Sequence, residues 1–117
     1  MVKVIVAGGR DFKDYNLLKS KLDLLLSNIT EPIEIVSGAA NGADKLGEKY
    51  AKDQGLSLKQ FPANWNKFNK SAGYIRNKEM AEYATHCVCF WDGKSKGTKH
   101  MIDLAKELNL KVRVVKY

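Results

Sequence analysis

Three times in this chain a short apolar run stops at a glycine-marked turn and gives way to a helical pattern, and that recurrence constrains the fold more than any other feature. The clearest case is Val36-Ser37-Gly38-Ala39-Ala40-Asn41-Gly42-Ala43-Asp44. Residues 33 to 37 read as a buried strand, and Ala43, Leu46, Gly47, Tyr50 and Ala51 recur as one helix face does. Glycines in such a turn let backbone approach a phosphate, while the free N–H groups of the helix start point at the bound charge. A similar turn, Gly8-Gly9-Arg10-Asp11, follows the first apolar run. Another, Asp92-Gly93-Lys94-Ser95-Lys96-Gly97-Thr98, follows Cys87 to Trp91. One such turn alone is equally a tight connection from strand to helix. Three on parallel strands would share one carboxyl edge, where open α/β sheets bind ligands.

The rest of the chain fits that frame. The β-branched run Val2 to Ala7 predicts a central strand covered on both faces. Asp14 is a candidate cap for a first helix with an apolar stripe of Leu18, Leu22, Leu25, Leu26 and Ile29. The second helix should run to Gln54, with Gly55 as its stop, and Leu56, Leu58 and Phe61 then make a short third strand. Residues 62 to 71 show no period but carry Trp65 and Phe68. Phe68 is read as stapling the loop to the body, whereas Trp65 is left between stapling and offering a base a stacking face. Gly73 to Ala84 predicts a third helix, with Arg76 at the border of its inner face. His86 to Trp91 is the fourth strand, Gly97-Thr98 opens the last helix, and Lys111 to Tyr117 is an edge strand. Five strands alternating with four helices give an α/β fold, a small Rossmann-like three-layer sandwich. Its five-stranded sheet is mostly parallel, with helices on both faces, in one domain over residues 1–117.

Several function classes are narrowed by composition. Net charge is +7, so the surface field favours anions, but the lysines are scattered rather than gathered in the block that a nucleic-acid arm would show. Cys87 and Cys89 are too few for a structural zinc and badly placed for a disulfide, which predicts buried thiols in a reducing compartment and no metal or cofactor. No apolar run approaches the length of a membrane helix, so the expectation is a cytoplasmic protein with no membrane partner. Gly93-Lys94-Ser95 is not a P-loop, since the glycine that motif needs five positions earlier is Val88.

Taken together, Gly8-Gly9-Arg10-Asp11, Ser37-Gly38 to Gly42-Ala43-Asp44, Ala72-Gly73 to Ile75-Arg76-Asn77-Lys78 and Gly97-Thr98 resemble the YspA-like branch of the SLOG superfamily over essentially the whole chain. The superfamily includes the Lonely Guy phosphoribohydrolases and the DNA-processing protein DprA. The resemblance implies a nucleotide-derived ligand at the carboxyl edge of the sheet. Arg76 looks like the arginine of the Lonely Guy helix, and Gly97-Thr98 matches the end of their phosphate loop. Their catalytic glutamate position holds His100, which cannot supply a carboxylate to a developing ribosyl cation.

The preferred reading is therefore capture of a nucleotide or ADP-ribose-like molecule, as sensor or sequestering protein. Candidate ligand contacts are Gly8, Gly9, Arg10, Ser37, Gly38, Asn41 and Gly42 in the first two turns, with Asp44 meeting a ribose hydroxyl or water. Trp65, Arg76, Asn77, Gly93, Gly97 and Thr98 complete the set. For Arg10, an ion pair with Asp11 or Asp14 is an equal alternative, and for Asn41 capping of the turn is the better reading. The enzyme alternative is N-glycosidic hydrolysis by Asp44 or His100, and the third is single-stranded nucleic-acid binding. Pairing into a homo-oligomer through Trp65, Phe68 or Tyr83 is a separate expectation.

Overall fold

The computed structural model describes all 117 residues. The first strand, β1 (Val2–Gly8), lies at the centre of a parallel sheet with strand order β3-β2-β1-β4-β5. The other strands are β2 (Ile33–Ser37), β3 (Ser57–Gln60), β4 (His86–Trp91) and β5 (Lys111–Lys116). A run interrupted only by Lys3 suits β1 because successive side chains point to opposite faces and both faces are covered. Val2, Val4 and Val6 pack with Leu18, Leu22 and Tyr50 on one side. Ile5 and Ala7 pack with Met80, Met101 and Ala105 on the other. Each large side chain so buried contributes about 1.5–3 kcal/mol.

The helices on the first face are α1 (Tyr15–Leu26) and α2 (Ala43–Gln54). Asp14 caps α1, its carboxylate accepting from the Leu17 amide at 3.0 Å, and Gly55 ends α2 in the left-handed conformation. The second face carries α4 (Ala72–Tyr83) and α5 (Lys96–Glu107). Cys87 and Cys89 are free, buried thiols against that second layer. No helix is long and apolar enough to cross a membrane.

The sequence reading is corrected in three places. Residues 62 to 71 are not structureless: α3 (Trp65–Phe68) forms a single turn capped by Asn64, and a 3-10 turn follows over Asn69–Ser71. One helical turn is too short for a periodicity to register. The third strand is Ser57–Gln60, so Leu56 and Phe61 fall just outside it, and it forms an edge whose residues are all exposed. The last helix begins at Lys96, because Ser95 is its cap and accepts from the Thr98 amide at 3.4 Å.

Because the chain runs outward from β1 to β2 and β3 and then crosses back to β4, the connections leaving β1 and β4 diverge to opposite sides of the sheet. A crevice opens at their carboxyl ends, where Gly8 pairs with Phe90.

Candidate functional site

A cleft of about 520 Å³ occupies that crevice. Its floor comes from the end of β1, where Gly8, Gly9 and Arg10 line it, and its far wall from the start of α5, with Gly97 and Thr98. Asp44 enters from the first turn of α2, Arg76 and Asn77 from α4, and Trp65 from the rim, where it is 49% exposed. Phe68 beside it is half-buried. The β1–α1 and β2–α2 loops are stitched together at the floor: the Ala43 amide donates to the Gly9 carbonyl at 3.2 Å, and the Gly9 amide donates to Phe90 at 3.1 Å.

Arg76 is the most constrained charge in the cleft. It lies on the buried face of α4 rather than at its border, only 9% exposed. Its Nε donates to Asn77 Oδ1 at 3.0 Å and its Nη1 to the Gly38 carbonyl, which leaves Nη2 without a protein partner. Every fully buried polar side-chain atom is satisfied, so Nη2 is the part of the guanidinium the cleft can reach. Burial lowers the Arg76 pKa, Asp44 opposes that, and the nearby Arg10 charge adds to it. Arg10 itself is exposed and makes neither of the ion pairs with Asp11 or Asp14 that its sequence neighbourhood offered.

Asp44 is 4% exposed, and burial pushes its carboxyl from 3.8 up to about 6 against the pull of Arg76. Its Oδ2 accepts from the Ala40 amide at 3.4 Å. Gly38 belongs to this arrangement by leaving space: a Cβ there would lie 2.7 Å from Asp44 Oδ2 and 2.9 Å from Arg76 Cζ.

Other candidates lie outside the cleft lining. Ser37 is fully buried behind the β2–α2 turn, where its hydroxyl donates to Glu48 Oε2 at 2.7 Å and accepts from the Ala39 amide at 3.0 Å. It shapes the turn from behind. Ser37→Ala should cost about 1–2 kcal/mol in urea unfolding while leaving affinity for any cleft ligand within twofold. Asn41 and Gly93 are exposed and do not line the cleft, and Gly38 and Gly42 lie behind residues that do: Gly38 against Arg76 and Asp44, Gly42 against the Gly9–Arg10 backbone. His100 faces a separate shallow hollow with Lys96, Lys99 and Asp103, its ring edge-on to Tyr74 at 4.5 Å and its Nδ1 accepting from Asn77 Nδ2 at 3.2 Å. Tyr83 is held within the fold by donating to Glu34 and tilting against Phe61.

Residues that the sequence reading did not select also line the cleft: Asp11, Lys70, Tyr74, Asp92 and Ser95. Asp11 and Asp92 stand inside turns already singled out. Lys70 arrives with a short helical turn that periodicity could not show, and Tyr74 with the first turn of α4, a helix the sequence predicts without showing this residue's place on the cleft. No group of three or more His, Cys, Asp or Glu side chains is arranged to hold a metal ion.

A parallel sheet of this order, with its cleft at the switch point, defines a Rossmann-like α/β protein. The sequence profile of the YAcAr family (YspA, cpYpsA-related SLOG family) matches residues 2–68, and the chain belongs to that family. The chain is 30% identical over 118 aligned positions to the Gene 61 protein of Mycobacterium phage D29, covering 96% of this chain and 94% of that one. The crystal structure of DNA processing protein A (DprA) from Streptococcus pneumoniae shares the fold, with a TM-score of 0.77 over 97% of this chain at 17% identity. This chain spans 50% of that DprA chain.

Proposed function

We propose that the cleft captures a nucleotide-derived molecule and holds it without cleaving it, as a sensor or sequestering protein does. The observation that carries this reading is the Nη2 of Arg76, unpartnered on a guanidinium held by two other hydrogen bonds and lining the cleft. Arg10 lies near enough to act on it electrostatically, and the first amides of α5 open beside it, so phosphate oxygens would find charge and N–H donors together. Trp65 and Tyr74 offer exposed aromatic faces at the rim for a base.

Native mass spectrometry of the purified protein, followed by chromatography of what it releases on denaturation, tests the proposal. An intact nucleotide is the expected result, either co-purified or taken up from a nucleotide panel. Arg10→Ala, which removes no hydrogen bond or ion pair within the protein, should weaken its binding about tenfold in calorimetry. Binding unchanged in Arg10→Ala would move the phosphates elsewhere.

The buried carboxyl of Asp44, raised to about 6, favours N-glycosidic hydrolysis as the second reading, since it is poised to exchange a proton near neutral pH. His100 lies outside the cleft lining and touches it through Asn77 and Tyr74. Release of free base on incubation would establish hydrolysis over capture, and Asp44→Asn should then abolish it.

A further inference from the structure

The cleft is lined by charges of both signs. Asp44 and Arg10 both bear on Arg76, whereas Asp11 and Asp92 both bear on Tyr117, where burial first and then these carboxylates push its hydroxyl up to about 12. Neither carboxylate floats free. Asp92 Oδ1 accepts from the Lys94 and Ser95 amides at 2.8 and 2.9 Å. Asp11 Oδ1 accepts from the Tyr117 hydroxyl at 2.7 Å. In each case the second oxygen, Oδ2, has no partner in the protein.

Tyr117 is itself fixed. Its amide donates to the Trp91 carbonyl at 3.2 Å, continuing the β4–β5 ladder, and its ring packs on Phe12 at 4.7 Å. Its hydroxyl sits directly over Gly9, at a place any Cβ would occupy. Asp11 is thereby folded back over the floor of the cleft by a residue 106 positions away.

Carboxylate oxygens held in place beside a phosphate site repel phosphate and accept hydrogen bonds from neutral hydroxyls. We infer that Asp11, positioned by Tyr117 and with Asp92 beside it, reads the ribose hydroxyls of the ligand, so that the cleft selects ribonucleotide-derived molecules over their deoxy counterparts. This rests on the nucleotide reading of the cleft and goes beyond it by naming the sugar and the residues that recognise it.

Calorimetry with the four ribonucleoside 5′-monophosphates and their 2′-deoxy and 3′-deoxy counterparts tests it on the wild type, Asp11→Asn and Tyr117→Phe. The wild type should prefer the best ribonucleotide over its deoxy forms by about tenfold, the effect of one hydrogen bond to a charged group. Both variants should reduce that preference below about threefold while changing affinity for the deoxy forms less than twofold. Tyr117→Phe keeps the ring on Phe12, and Asp11→Asn, at an exposed position, decides the matter if Tyr117→Phe does not fold.

Equal affinity of the wild type for ribo and deoxy forms would overturn the inference while leaving nucleotide capture standing. A uniform loss of affinity in both variants, with the preference intact, would reduce Tyr117 and Asp11 to structural parts and overturn it equally. Failure of the wild type to bind any of these nucleotides would count first against the nucleotide reading, and the sugar assignment would fall with it.

Discussion

Replacing Gly42 by alanine is expected to cost about 3 kcal/mol or more in urea unfolding, among the largest effects available to a one-carbon change in this protein. Gly42 caps α2 with φ 80 and ψ −129, a combination close to the region that essentially only glycine visits. A Cβ there would also lie 2.7 Å from the Arg10 Cα and carbonyl carbon and closer still to the Gly9 carbonyl oxygen. Those atoms are backbone held by the Ala43-to-Gly9 hydrogen bond, so they cannot swing aside as a side chain would. Gly55→Ala is the control: its φ of 67 is also left-handed, but nothing lies within 4 Å, and about 1 kcal/mol should cover its cost. Equal costs for the two variants would mean that the two loops are not pressed together, and the cleft floor would have to be built differently. The expected difference is the energetic trace of two loops brought into backbone contact to make one surface.

What could be read from the sequence follows from how local each cause is. The central strand was legible because a strand covered on both faces must be apolar at every position, as Val4, Ile5, Val6 and Ala7 are. Asp14 and Gly55 were legible because a cap acts within one turn of itself. The glycine turns pointed to the correct edge of the sheet for the same reason. What each turn residue does was not legible, because its partner is remote in sequence. Ser37 faces Glu48 and not the cleft because α2 folds back behind it. Arg76 is buried because the carbonyl of Gly38, across the sheet, receives its guanidinium. Asp11 looked like one more turn carboxylate until β5 delivered Tyr117 beside it. The short turn at Trp65–Phe68 had an audible signal in Asn64, whose carbonyl oxygen Oδ1 accepts from the Lys67 amide at 3.1 Å, but a cap without a following period is easily passed over.

Asp44→Asn should make the protein more stable at pH 8, by about 1–3 kcal/mol, and leave it nearly unchanged at pH 4. The reasoning is one of proton linkage. Burial raises the Asp44 carboxyl from 3.8 in the unfolded chain to about 6 in the fold, so the folded state holds the proton more tightly. Below pH 3.8 both states are protonated and this group costs nothing. As pH rises from 3.8 through 6 the unfolded chain releases the proton first, and stability falls; above 6 the full cost, about 3 kcal/mol, remains. Asparagine mimics the neutral carboxyl and removes that dependence; the attraction of the Arg76 guanidinium is already contained in the value of about 6, so it is not subtracted again. Urea midpoints measured between pH 4 and 8 for both proteins check it. A variant less stable than wild type at pH 8 would show that the Arg76 charge outweighs burial, and that Asp44 is there to hold Arg76. A gain at pH 8 has the opposite meaning: a carboxyl that lowers stability at neutral pH, on the lining of a cleft with an unpartnered guanidinium nitrogen, is explained by what the cleft does rather than by the fold. A phosphate bound beside Arg76 would raise the Asp44 pKa further still. Ligand binding should then take up protons between pH 6 and 7, readable in calorimetry as a binding heat that changes with the buffer's own ionisation heat.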